Sequence, residues 1–174
     1  MDNRIFKLQC HVDELLSVIE DKEERCCAYA HLYGTSLSCA MIASKRNLDV
    51  ELATIAGLLH DIHDIYEYTF YDKLESLSYR SDHGIRNSKL AREILTQLAL
   101  TTETETNMIC DAIRNHGYKD NIHAPFDEVI KDADVFHKQI NNINVPIHPL
   151  HERCLSDLLN EFGLVWHSQV DTWD

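Results

Sequence analysis

Only five glycines and three prolines interrupt the 174 residues of this chain, and no stretch sustains an alternation of apolar and polar residues. Gly and Pro are the residues that most readily end a helix, and alternation marks a half-buried strand. Their scarcity restricts the chain to an all-α fold. Helices are predicted over about 3–20, 23–46, 50–66, 81–99, 102–117, 125–140 and 150–162. Asp49 is the expected N-cap of the third, and the fourth starts near Ser81 or Asp82. Thr102 and Glu105 have capping-box spacing at the start of the fifth, which Gly117 ends, and Gly163 stops the last. The stretch NNINVPIHPL reads as a loop. The segment 67–80, EYTFYDKLESLSYR, is the least regular and the most aromatic, and is expected to be a lid or a loop facing a substrate.

Composition narrows the class. At 44% hydrophobic and 26% charged, the chain reads as one globular domain with its own core. No apolar run reaches the roughly 18 residues of a membrane span. The opening MDNRIFKLQCHVDELLSVIEDKEE is amphipathic and acidic with no signal-peptide core, so a cytoplasmic protein is expected. A net charge of −13 argues against broad binding to nucleic acid or an anionic membrane. It leaves room for a small phosphorylated ligand held through a metal. The six cysteines form no CxxC pair and are expected to be reduced, most of them filling the core.

Ionisable residues fall on apolar faces. In AGLLHDIHDI, residues 56–65, Leu52, Ile55, Ala56, Leu59 and Ile62 define the inner face, and His60 borders it. On a continuous helix His60, Asp61 and Asp64 would form one compact cluster. An exposed acidic helix end is the bland alternative, but burying such groups is costly unless they are paired or bind a metal. His31 has the small neighbours Cys27, Ala30, Gly34, Thr35 and Ser38, which leave space for an ion or another helix. His116 ends a helix whose inner face is Met108, Ile109, Ala112 and Ile113; the helix dipole alone would also favour a histidine there. Asp134 follows Ile130 by four residues, on a stripe of Val129, Ile130, Ala133 and Ile140, whereas Asp132 falls further away. His83 opens the fourth helix, where an imidazole is favoured neutral, the metal-binding form.

A lone His on one helix, an adjacent His-Asp pair closing an apolar helix and an Asp on a later helix resemble the HD-domain superfamily. The resemblance rests on His31, on LLHD with His60 and Asp61, and on Asp134 in DADVF, across roughly residues 25–140. His31 and His60 are 29 residues apart, which suits two antiparallel helices joined by a short turn. The resemblance implies a single-domain bundle of about six to seven helices, with the C-terminal helix at about 150–162 packed on it. It implies a divalent metal bound by His31, His60, Asp61 and Asp134. In the two-metal branch His83 and His116 bind a second ion, with Asp61 bridging. Mn, Fe, Ni, Zn or Mg, one or two per chain, would activate water against a phosphate ester or anhydride of a nucleotide or related small molecule.

Asp61 and Asp64 are the expected catalytic residues. Asp64 resembles the acidic residue that some HD phosphohydrolases carry three places after the HD aspartate. Arg86, one turn after His83, and Arg80 are candidates to bind the substrate phosphate. The sequence departs from the family pattern at His63, where HD-Ile-Gly is common, and at Val135, where a basic residue often follows the last ligand. His137, three residues after Asp134, is a candidate partner behind the ligands. Two other functions share this arrangement: an HD-domain di-iron oxygenase, and an inactive metal or nucleotide sensor.

Overall fold

The computed structural model of the chain describes residues 3–64, 83–141 and 147–165. Seven α-helices occupy them: α1 (Arg4–Ser17), α2 (Lys22–Lys45), α3 (Val50–Leu59), α4 (His83–Gln97), α5 (Glu103–Asn115), α6 (Pro125–Asn141) and α7 (Glu152–Phe162). A 3-10 turn at Pro149–His151 precedes α7. No strand occurs among the described residues, in keeping with the all-α expectation. No helix among them is long and apolar enough to cross a membrane. The aromatic segment 67–80 with Arg80, the predicted start at Ser81 or Asp82, and much of the NNINVPIHPL loop lie outside the described residues.

Local chemistry sets the helix ends. Asp49 accepts from the Leu52 N–H at 2.9 Å, and Asp21 accepts from the Glu23 and Glu24 N–H groups at the start of α2. Thr102 and Glu105 complete both arms of their capping box. Gly163 ends α7 in the left-handed conformation, at φ +65°. The third helix stops earlier than its apolar pattern suggests, at Leu59. A turn occupies His60 and Asp61, and helical geometry resumes at 62–64. The His60 ring Nδ1–H takes the Gly57 carbonyl at 2.9 Å, capping the helix with its own side chain. Asp64 N–H then bonds Asp61 O at 3.1 Å and starts a new turn.

Two antiparallel pairs carry the site. In the first, Ser36 Oγ donates to Thr54 O at 2.9 Å, and further along the pair His31 of α2 meets His60 at the end of α3. The close approach needs Gly57, because a Cβ there would lie 2.7 Å from Ser36 Cα. In the second, Ser88 Oγ of α4 donates to Cys110 O of α5 at 2.8 Å, and His83 meets His116. Here Gly84 is required, since a Cβ there would run into the Arg114 carbonyl oxygen. Helix α6 packs on α2, α3 and α5 and brings Asp134 to the junction, and α7 packs on α6.

The core follows the predicted stripes at Leu52, Ile55, Ala56, Leu59 and Ile62, joined by Leu8, Val12 and Leu16 of α1. Full burial of such side chains contributes roughly 1.5–3 kcal/mol each. Three expectations need correction. Met108 is 36% exposed, because α5 buries Ile109, Ala112 and Ile113 and turns Met108 to its outer side. Ile140 is 46% exposed: α7 covers a second side of α6 through Val135, and in the last turn Gln139 is buried in place of Ile140. Only Cys39, Cys110 and Cys154 are buried; Cys10, Cys26 and Cys27 lie on exposed faces of α1 and α2.

Candidate metal centre

Asp61 stands where the two helix pairs meet. Its Oδ2 lies 2.9 Å from His31 Nε2 and 3.3 Å from His60 Nε2. Its Oδ1 lies 2.8 Å from His83 Nε2 and 3.2 Å from His116 Nε2. Within each pair the imidazole nitrogens are also close, at 3.0 Å for His31 and His60 and 3.2 Å for His83 and His116. Asp134 Oδ1 approaches His60 and His31 Nε2 at 3.6 and 3.7 Å. Two donor groups result, one of His31, His60, Asp61 and Asp134, the other of Asp61, His83 and His116. In each, the donor atoms lie within 4.8 Å of one another. Nitrogen and oxygen ligands about 2.0–2.2 Å from a shared ion lie roughly 3 Å apart, so both groups fit a divalent cation.

The imidazoles are held from behind. His60 Nδ1–H donates to Gly57 O, and His116 Nδ1–H donates to Ile113 O at 2.6 Å. Each bond leaves Nε2 facing the centre. His83 Nδ1 lies 3.4 Å from Asp64 Oδ1. Buried Asn87 ties α4 to the chain after Asp61: its Oδ1 accepts from the His63 N–H at 2.6 Å, and its Nδ2 donates to His83 O at 3.2 Å. The His137 ring sits beside His31, with centroids 5.5 Å apart, and accepts from Asn141 Nδ2 at 2.7 Å. The His63 ring belongs to neither donor group.

Charge accounts for the titration of the centre. Burial disfavours the Asp61 carboxylate, yet His60, His116 and His31 hold its pKa well below the usual value. Burial also opposes the charge on Asp134, which Lys119 and Lys138 more than offset. For His60, burial favours the neutral ring, but Asp61 and Asp134 push the pKa up to about 9. For His83 the neutral ring expected at a helix start is not what the carboxylates favour: burial lowers the pKa, but Asp61 and Asp64 outweigh it and the value rises to about 10. Burial wins at His116, whose pKa is lowered. A divalent ion would take over the neutralising role of the protonated rings, which must be neutral to bind it.

The sequence pattern did not point to two lysines. Lys119 Nζ donates to Asp134 Oδ2 at 2.8 Å, and Lys138 Nζ donates to the same oxygen at 3.1 Å. Lys138 follows Asp134 by one helical turn, a legible spacing. Lys119 lies between α5 and α6, and nothing in its surroundings in sequence points to Asp134. Asp132 turns elsewhere, accepting from Arg46 at 2.7 Å, and Arg46 also binds Glu161 of α7.

A cavity of about 700 Å³ opens on the centre, walled by His31, Asp61, Asp64 and Lys138 and by the acidic start of α2 at Asp21, Glu23 and Glu24. Cys27, one of the small neighbours of His31, also lines it. Arg86 is half-buried on α4 and is not among the described residues of that wall.

A helical fold that gathers histidines and aspartates from separate helices over a cavity defines a candidate metal-dependent protein of the HD type. The sequence profile of the HD domain matches residues 28–139, and the chain belongs to the HD-domain family. No curated protein and no solved structure matches the chain. Membership places it in a superfamily of metal-dependent phosphohydrolases, and its His/Asp groups could hold the metal.

Proposed function

We propose that the chain is a metal-dependent phosphohydrolase acting on a phosphate ester or anhydride of a nucleotide or a related small molecule. The observation that carries this reading is the division of the Asp61 oxygens between two histidine pairs beside a cavity of about 700 Å³. In this reading His31, His60, Asp61 and Asp134 hold one divalent ion, and Asp61, His83 and His116 hold a second. Imidazole with carboxylate favours Mn, Fe, Ni or Zn over Mg. The ion supplies Lewis acidity, acidifying water and polarising a phosphoryl oxygen.

The protein's own groups do the rest. Asp61 spans both donor groups and sets their separation. The Gly57 and Ile113 carbonyls keep His60 and His116 turned inward. Lys119 holds Asp134 Oδ2 and leaves Oδ1 toward the imidazoles. Asp64 lines the cavity beside His83 and takes or returns a proton at its carboxylate.

Elemental analysis of the purified protein, followed by an anaerobic screen of nucleotides and phosphate esters with the metal found, tests the reading. Phosphate release is the expected result. Oxygen consumption by the iron-loaded form without phosphate release would assign a di-iron oxygenase. Retained metal with neither activity would assign a sensor.

A further inference from the structure

Lys138 and Lys119 both neutralise Asp134, but they occupy different environments. Lys119 is 7% exposed, bonds Asp134 Oδ2 and reaches Lys131 O at 3.4 Å. It is a fixed counter-charge inside the bundle. Lys138 is 46% exposed along its side chain and lines the cavity with His31, Asp61 and Asp64. Its Nζ lies 2.9 Å from Asp134 Oδ1, the oxygen that faces His31 and His60. Among the described residues of the wall it is the one cation, set against the carboxylates of Asp61, Asp64, Asp21, Glu23 and Glu24.

Building on the phosphohydrolase reading, we propose that Lys138 binds the substrate, its ammonium holding a non-bridging phosphoryl oxygen on the Asp134 side of the cavity. A divalent ion and an ammonium repel each other strongly when both crowd one carboxylate oxygen. Lys119 keeps Asp134 in place through Oδ2, so Lys138 is dispensable for holding that residue. Its flexible stem and its exposure let Nζ turn into the cavity, where a compact ammonium with three donors suits a phosphate oxygen. The contact would add a cation from α6 to the one expected from Arg86 of α4.

The test compares the wild type with Lys138→Met and Lys138→Arg, each loaded with the metal found in the purified protein. Metal content is read by elemental analysis, binding of inorganic phosphate by calorimetry, and KM and kcat on the best substrate of the screen. Lys138→Met is expected to keep its metal while KM and the phosphate Kd rise roughly 10- to 100-fold, the scale of one charge-assisted hydrogen bond. Lys138→Arg should recover part of that loss. If Lys138→Met sheds metal while its loaded fraction binds phosphate normally, Lys138 only props Asp134 and the proposal falls. An active wild type whose Lys138→Met variant keeps both constants overturns this proposal alone. A wild type with neither turnover nor phosphate affinity overturns the phosphohydrolase reading and this one with it.

Discussion

The Asp61 carboxylate gives one oxygen to His31 and His60 and the other to His83 and His116, so the two donor groups can be taken apart separately. Removing the His116 imidazole leaves, among the described residues, His83 and one carboxylate oxygen on its side. His116→Ala is therefore expected to lower the metal content from about two ions per chain to about one, with a strong loss of turnover. An unchanged count by elemental analysis would leave His116 as a helix-end residue held by its bond to Ile113 O. Asp64→Asn preserves size but not charge or proton-accepting capacity. It is expected to keep the His31 group loaded and to lose roughly 10²- to 10⁴-fold in kcat. Loss of metal in that variant would make Asp64 a support for His83 instead. His60, Asp61 and Asp134 are legible in the sequence, because ionisable groups on apolar stripes demand an explanation. Lys119 is not, since 15 residues and a loop separate it from Asp134.

Helix ends and helix approaches decide how far apart those residues stand. The caps at Asp49, at Thr102 with Glu105, and at Gly163 act through the backbone within one turn, which is why the sequence reveals them. The end of α3 is different: the apolar pattern runs on through Ile62, while the His60 ring takes the Gly57 carbonyl and breaks the helix. Gly57 also allows α3 to approach α2. In Gly57→Ala the new Cβ would lie 2.7 Å from Ser36 Cα, a backbone atom that cannot rotate away. The expected cost is about 1–3 kcal/mol of stability, or a Tm lower by roughly 3–10 °C. Metal affinity should weaken too, because His31 and His60 ride on the two helices forced apart. A variant with wild-type melting temperature and metal binding, by calorimetry and titration, would show that the pair tolerates the methyl group.

Across the whole molecule, stability and metal binding are linked through pH. In the metal-free protein Asp61 and Asp134 have depressed pKa values. Their stabilisation is present above the ordinary value of 3.8 and is lost as the pH falls toward the folded values. His60 and His83 are raised, so theirs is complete below 6.5 and is lost as the pH rises through about 9 and about 10. These four groups therefore stabilise the metal-free protein most between 3.8 and 6.5. Metal requires neutral imidazoles, so it releases protons at neutral pH and binds more tightly as the pH rises toward about 9. At a metal concentration 100 times Kd the gain is about 2.7 kcal/mol. Thermal melts with metal and with chelator, from about pH 5 to about pH 9, should show a gap that widens with pH. A constant or narrowing gap would contradict this linkage.

Helicity, the inward faces of most helices, and the histidines and aspartates on or beside those faces are all legible in the chain's linear order. Each of these follows from helical period and capping, which are properties of neighbours in the chain. The division of the Asp61 oxygens between two imidazole pairs, the sharing of Asp134 by Lys119 and Lys138, and the turn of Asp132 to Arg46 emerge from the packing of separate helices. The exposure of Met108, Ile140, Cys26 and Cys27 belongs with these, since which side of a helix is covered depends on its partners. Such facts are distances between atoms on different helices. They are set by the close approaches at Gly57 and Gly84 and by the packing of α6 against both helix pairs, which no single-helix pattern encodes.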